Sequence, residues 1–235
     1  MKKLLFVTAL AGLTAFAAPA AHAGDNVVLV ELFTSQGCSS CPPADKNLAE
    51  LTGRDDVLPL SMHVDYWDYL GWRDTFANRE YTERQYEYRR QMGARVVYTP
   101  QMIVQGVIDV PGYRPDLIEQ AVSAAGGLER TTSIQIENIG GMWEAGISGG
   151  QNNQQSTIWL AAYDKIRSVE IERGENAGRT IVYHNVVDSL MRVGPWHGGQ
   201  DQRINLPKPS DGEGVAVWLQ DHATGQIIAA SFIEE

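Results

Sequence analysis

FTSQGCSSCPPAD, residues 33–45, contains Cys38 and Cys41, the chain's two cysteines, with Pro42 and Pro43 directly behind them. Immediately upstream, NVVLVELF (26–33) is a short, β-branched apolar run of the kind that fills a buried parallel strand. TSQG (34–37) follows as a turn, with Gly37 able to take a left-handed conformation. The period then changes: Ala44, Leu48 and Leu51 fall at helical spacing, and Gly53 is a stop signal. Two successive prolines are tolerated only in a helix's first turn, where the amides they lack have no intrahelical partner anyway. They set the helix start near Cys38 to Cys41, with Cys38 exposed at the positive end and Cys41 one turn further in. A strand, a turn and a helix N-terminus together make a setting that stabilises a thiolate.

The chain has 235 residues and opens MKKLLFVTALAGLTAFAAPAAHAGD. Lys2 and Lys3, an apolar run from Leu4 to about Ala18, and Ala21-His22-Ala23 as a small-x-small cleavage site are the three parts of a secretory signal peptide. The run is shorter than the ~20 residues of a membrane span, and no later segment reaches that length. An uncleaved N-terminal anchor is the alternative, and the cleavage site argues against it. The expectation is a periplasmic or secreted protein, with no membrane attachment once residues 1–23 are removed. Removing Lys2 and Lys3 from 19 basic residues leaves 17 against 29 acidic, a net charge of −12. Such a surface repels nucleic acid and anionic lipid, which are bound through clustered Lys and Arg. Apolar residues make up 43% of the chain, enough for a real core.

In an oxidising compartment a cysteine pair is ordinarily a structural bridge. This one would close only about four residues, worth roughly 2 kcal/mol by chain entropy, and a chain of this length buries its own core without it. A tetrahedral zinc site needs two further ligands. His63, His184, His197 and His222 stand in no C-x-x-C…H-x-x-x-H spacing with the pair. A redox pair suits the strand–turn–helix setting better than either.

The stretch resembles the thioredoxin-like superfamily, and a second motif carries the same resemblance. RVVYTPQMIVQGV (95–107) is similar to the later strand of that fold, where a cis-proline faces the disulfide and a β-hairpin follows. The resemblance implies that Pro100 is this proline and that Thr99 presents its backbone to a substrate chain. Thr99 and Pro100 are then substrate-contact residues, and Cys38 and Cys41 the catalytic, disulfide-forming pair. It also implies a buried proton-transfer acid on the strand before the cysteines. Glu31 is the nearest, one residue further from Cys38 than that pattern requires.

The segment between the two motifs is longer than in a minimal thioredoxin. LPLSMHVDYW (58–67) has the pattern of a central strand running into a loop, and 78–92 that of an exposed helix. The aromatic group Tyr66, Trp67, Tyr69, Trp72 and Phe76 is expected to pack an inserted helix, with a recognition lid beside the disulfide as the alternative. His63 and Asp65 share a strand face, as a strand-end hydrogen bond or as a metal or proton-transfer pair.

Composition changes after RPDLIEQAVSAAGG (114–127), itself a helix. From Thr131 onward, short alternating runs such as TSIQIENI, STIWLAAYD, SVEIERG and EGVAVWLQD are separated by Gly, Asn and Asp, the pattern of an all-β sandwich. HATGQ (222–226) is a tight hairpin, and GENAGRTIVYHNVV (174–187) a second, although a glycine loop also admits ligands. The expected fold class is an α/β thioredoxin-like domain over 24–128, carrying the aromatic and helical insertion, followed by an all-β, sandwich-like domain over 129–235. Most of the mature chain also resembles a family of secreted bacterial proteins known only as a domain of unknown function. That family pairs an FTSQGCSSCPPAD-type motif with a β-rich part carrying a GENAGR-type loop, and brings no established substrate.

The leading expectation is a thiol–disulfide oxidoreductase without a cofactor, whose partners are protein thiols or disulfides. Cys38 attacks a partner disulfide and Cys41 resolves the mixed disulfide. Two alternatives stand beside it. One is a non-enzymatic binding protein with an inert disulfide. The other is a thiophilic metal carrier, since a soft two-thiolate site suits Cu(I).

Overall fold

The computed structural model describes residues 27–140, 142–207 and 212–234; the signal peptide expected over 1–23 lies outside them. Among the described residues no helix is long and apolar enough to cross a membrane. The first half comprises β1 (Val28–Thr34), α1 (Pro42–Leu51), β2 (Val57–His63), α2 (Arg79–Gln91), β3 (Gln101–Val104), β4 (Ile108–Pro111) and α3 (Pro115–Gly126). The second comprises β5 (Thr132–Ile139), β6 (Met142–Gly149), β7 (Gln155–Ile171), β8 (Arg179–His197), β9 (Gln202–Asn205), β10 (Gly214–Asp221) and β11 (Ile227–Glu234). Eight strands make one mixed sheet in the order β11-β10-β7-β8-β2-β1-β3-β4, and β5-β6-β9 make a smaller one.

Every residue of β1 is buried, because alternate side chains enter different layers. Val28, Val30 and Leu32 pack with Leu48 of α1 and Val122 of α3. Leu29 and Phe33 pack with Tyr81 and Tyr88 of α2 on the other face. A strand covered on both sides has no use for polar alternation, which is why its sequence is a nearly unbroken apolar run. At its end the chain turns into α1, with Cys41 at the N-cap and Pro42 and Pro43 in the first two helical positions.

The second half is two-layered, but one of its layers is continuous with the first half's sheet. β8 joins β2 in parallel, with Ser61 opposite Val186. The smaller sheet covers the far part of the large one on the face opposite α2, where Ile134, Ile136 and Ile147 meet Leu160, Val217 and Leu219. The face shared by both halves carries Leu29, Leu60, Trp159 and Trp218 in one cluster under α2.

The β7–β8 hairpin makes this continuity possible. STIWLAAYD and SVEIERG, expected as two strands, are one strand of 17 residues. β10 pairs only with Ser156–Tyr163 of it. Beyond that edge β7 and β8 run on as a two-stranded ribbon, with Ile171 opposite Arg179 at its tip. A ribbon without a sheet neighbour on that side is wetted, so polar residues in mid-strand there do not mark a turn.

Candidate functional site

The ribbon's tip reaches the cysteine turn. Cys38 and Cys41 are joined in a disulfide, with Cα atoms 5.4 Å apart. Cys41 N donates to Cys38 O at 3.2 Å, and Ala44 N and Asp45 N donate to Cys41 O at 2.8 and 3.1 Å, so the turn winds straight into α1. Gly37 does not take the left-handed conformation open to it. Its lack of a side chain serves close approach instead: a Cβ there would lie 3.3 Å from both Cβ and the carbonyl oxygen of Trp67.

Cys41 is fully buried, and Cys38 is only 3% exposed. The expected exposure of Cys38 is therefore corrected, and three segments closing around it are the reason. The Thr99–Pro100 peptide bond is cis, and Thr99 Oγ1 donates to Cys38 Sγ at 3.2 Å. Trp67 Nε1 donates to Thr99 Oγ1 at 2.8 Å, while Trp72 Nε1 donates to Gln36 Oε1 at 2.8 Å. The third segment is the GENAGR loop. Asn176 Nδ2 donates to the carbonyl oxygens of Gln36 and Cys38, both at 2.9 Å, and Ser39 N donates to Glu175 Oε2 at 3.3 Å. One buried amide thus satisfies two main-chain acceptors of the turn.

The aromatic group divides between its two expected roles. Tyr66 packs toward α2, donating to Gln85 Oε1 at 3.2 Å, whereas Trp67 and Trp72 bond to Thr99 and Gln36, residues that adjoin the cysteine turn. Tyr69 stays largely in solvent, 76% exposed. Between Trp67 and Phe76 the chain is loop apart from one 3-10 turn, Asp68–Leu70.

Beneath the pair lies a buried polar cluster. Asp45, four residues after Cys41 on α1, accepts from Thr34 Oγ1 at 2.7 Å. Burial pushes its carboxyl up to about 7, against the opposing pull of His63 and of the Thr34 hydrogen bond. His63 Nδ1 lies 2.8 Å from Asp74 Oδ2, which also accepts from Gln36 N at 2.7 Å. Burial raises Asp74 too, but His63 and the amides of Gln36 and Phe76 outweigh it and hold the carboxyl below the usual range. Phe76 and Tyr183 close the cluster edge-on to the His63 ring, at 5.2 and 4.8 Å between centroids. Asp65, expected beside His63, accepts instead from Thr82 Oγ1 at 2.7 Å.

The structure brings Cys38, Cys41, Thr99 and Pro100 together and leaves Glu31 out. Glu31 shares the β1 face of Leu29 and Phe33, opposite the face that α1 packs against. There its carboxylate is bound by Arg84 and by Tyr88 OH. A buried acid does stand next to the cysteine helix, and it is Asp45. In the sequence it is an ordinary acid in a helix's first turn, without a signal of its own, whereas Asn176 was signalled by the glycines around it. Among the described residues no group of three or more His, Cys, Asp or Glu is gathered to hold a metal ion.

The crystal structure of protein AGR_C_4864 from Agrobacterium tumefaciens is similar to this chain, with 35% identity and a TM-score of 0.76 over 90% of this chain and 96% of that one. No curated protein matches the chain. The family model described as "Protein of unknown function (DUF1223)" matches residues 29–220, and the chain belongs to that family.

Proposed function

We propose that this protein is an exported thiol–disulfide oxidoreductase built on a thioredoxin-like unit. The observation that carries the reading is the hydrogen bond from Thr99 Oγ1 to Cys38 Sγ at 3.2 Å, which joins the proline-led hairpin to a cysteine pair at a helix start. The four strands β4-β3-β1-β2, with α1 and α3 on one face and α2 on the other, support the thioredoxin-like part. The basic, apolar and small-residue segments of 1–23 support export to the periplasm or beyond.

In the reduced protein, the Cys38 thiolate attacks one sulfur of a partner disulfide, and the other partner sulfur leaves as a thiolate. Cys41 then attacks the Cys38 sulfur of the mixed disulfide. The second partner thiolate leaves, the partner has gained two electrons, and the Cys38–Cys41 disulfide is formed. Oxidation of a partner dithiol runs through the same mixed disulfide in reverse. Thr99 and Pro100 border Cys38 on the side from which a partner chain would approach, and protein thiols or disulfides are the substrate class they suit.

A second reading, a binding protein with an inert disulfide, is favoured by the 3% exposure of Cys38. Trapping separates the two. The fully reduced protein is mixed with a disulfide-containing test protein. Under the oxidoreductase reading Cys41→Ser accumulates a mixed disulfide through Cys38, and Cys38→Ser abolishes turnover. If neither thiol reacts faster than a free cysteine and no mixed species accumulates, the pair is structural.

A further inference from the structure

Three buried polar atoms beneath the disulfide have no hydrogen-bond partner: Asp45 Oδ2, His63 Nε2 and Tyr183 OH. They come from α1, β2 and β8, which pack against one another, β8 pairing with β2 in the large sheet. A buried polar atom without a partner is uncommon, and these three stand close together: Asp45 acts electrostatically with both His63 and Tyr183, whose rings are in contact. Asp74 accounts for the rest of the cluster. It accepts from the amides of Gln36 and Phe76 at 2.7 and 2.9 Å, so it acts as an ionised acceptor and His63 Nδ1 carries the hydrogen between them. In the neutral ring that leaves Nε2 as an open acceptor.

Asp45 is the member of this cluster that the cysteine helix itself supplies. Cys41 has helical backbone angles, φ −78° and ψ −35°, so Cys41 and Asp45 stand at i and i+4 on one face of α1. Cys38, at the start of the preceding turn, has Thr99 as its neighbour instead. The carboxylate is thus paired by position with the resolving cysteine, not with the attacking one. One Asp45 oxygen is held by Thr34, and the other is free to take a proton. Asp45 also lines a cleft of about 570 Å³ together with Lys46, Arg179 and His184.

We propose that Asp45 is the proton acceptor of Cys41. As the Cys41 sulfur attacks the mixed disulfide, its hydrogen passes to Asp45 Oδ2; when Cys41 leaves in the reverse direction, the carboxyl returns it. This inference rests on the oxidoreductase reading above. Of the ionisable groups facing the carboxyl, His63 favours its ionised form and Asp74 opposes it, Tyr183 stands beside it, and Lys46, Arg179 and His184 line the cleft.

The test separates the two cysteines in time. Reduced protein is mixed with 5,5′-dithiobis(2-nitrobenzoate), and thiolate release is followed by absorbance. The first equivalent reports Cys38 forming the mixed disulfide, and the second reports Cys41 resolving it. In Asp45→Asn the first phase should be unchanged, while the second slows on the order of 10²-fold near neutral pH, the usual worth of a placed general base. The wild-type second phase should also rise with pH through about 7, and that step should vanish in the variant. A purely structural role would not remove the step. Equal second phases with the same pH profile overturn this inference alone. Absence of both phases in the wild type overturns the oxidoreductase reading as well. Should Asp45→Asn fail to fold, infrared difference spectra of the unmutated protein with ¹³C-labelled aspartate read the same proton. A protonated carboxyl band that changes between the reduced and oxidised forms is expected, and its absence overturns the proposal.

Discussion

Asn176 donates to the carbonyl oxygen of Cys38 at 2.9 Å, from a hairpin 138 positions further along the chain. The same Nδ2 serves Gln36 O, and the side-chain oxygen accepts from Arg179 at 3.1 Å. The β-rich half thereby holds the cysteine turn in place. Asn176→Ala leaves the buried Gln36 carbonyl unpaired, which costs about 1–3 kcal/mol before relaxation, and takes one of two donors from Cys38 O, which keeps Cys41 N. Asn176→Asp should cost more at neutral pH, because it sets a carboxylate against two carbonyl oxygens. Denaturant unfolding of the oxidised proteins should rank wild type above Ala above Asp. Asp above Ala would contradict the donor role.

Elements whose residues settle their own structure are legible in the sequence. The paired prolines located the start of α1 because only a first helical turn admits them, and the apolar run of β1 announced burial on both faces. Long-range features were not legible. Nothing local in STIWLAAYD or SVEIERG says that they are one strand, because the ribbon's length is set by its reach to β2 and the cysteine turn. The shared sheet is hidden for the same reason. Glu31 was misjudged on strand parity: an odd position in β1 faces α2, whereas Thr34 at an even one faces Asp45. Asp45 itself looks like an ordinary acid in a helix's first turn, where the dipole favours one. Only the packing above it makes it unusual.

Arg84 ties Glu31 of the first half to two tryptophans of the second. Its guanidinium binds the Glu31 carboxylate and lies over the rings of Trp159 and Trp218, at 4.4 and 5.3 Å from their centroids. Arg84→Met leaves Glu31 buried and unpaired, which should cost about 3–5 kcal/mol. Adding Glu31→Leu should recover most of that loss, since the orphaned charge is then gone. Glu31→Gln, in turn, should leave the pH profile of both thiol phases unmoved. A changed second phase in that variant would return Glu31 to the chemistry.

Trp67 is the removable part of the cover on Cys38. It donates to the hydroxyl that in turn donates to the sulfur. In the reduced protein, Trp67→Ala should raise the iodoacetamide alkylation rate at Cys38 several-fold while leaving Cys41 protected. Trp67→Phe keeps a ring but loses the donor, so an intermediate rate is expected. Equal rates in all three proteins would mean that segments other than 66–72 limit access.

Asp45 should make the protein less stable as pH rises, the reverse of an ordinary salt-bridged carboxylate. Its folded-state value, about 7, stands above the unfolded 3.8 because burial disfavours the charge. Between these limits the native state binds a proton that the unfolded chain has released, so unfolding free energy falls with pH across that window. The full loss is about 4 kcal/mol, complete above the folded value. Asp45→Asn has the same shape and no charge to bury. The variant should gain on the wild type from about pH 4 upward and level off above about pH 7. Asp74, held low by His63, contributes the opposite slope at acid pH. It is present in both proteins, so it largely cancels in the difference. Urea unfolding of the oxidised forms at about pH 4, 6 and 8 gives that difference directly. A difference that stays flat across the series would mean that Asp45 ionises in the fold as it does in water, leaving no buried proton beside Cys41.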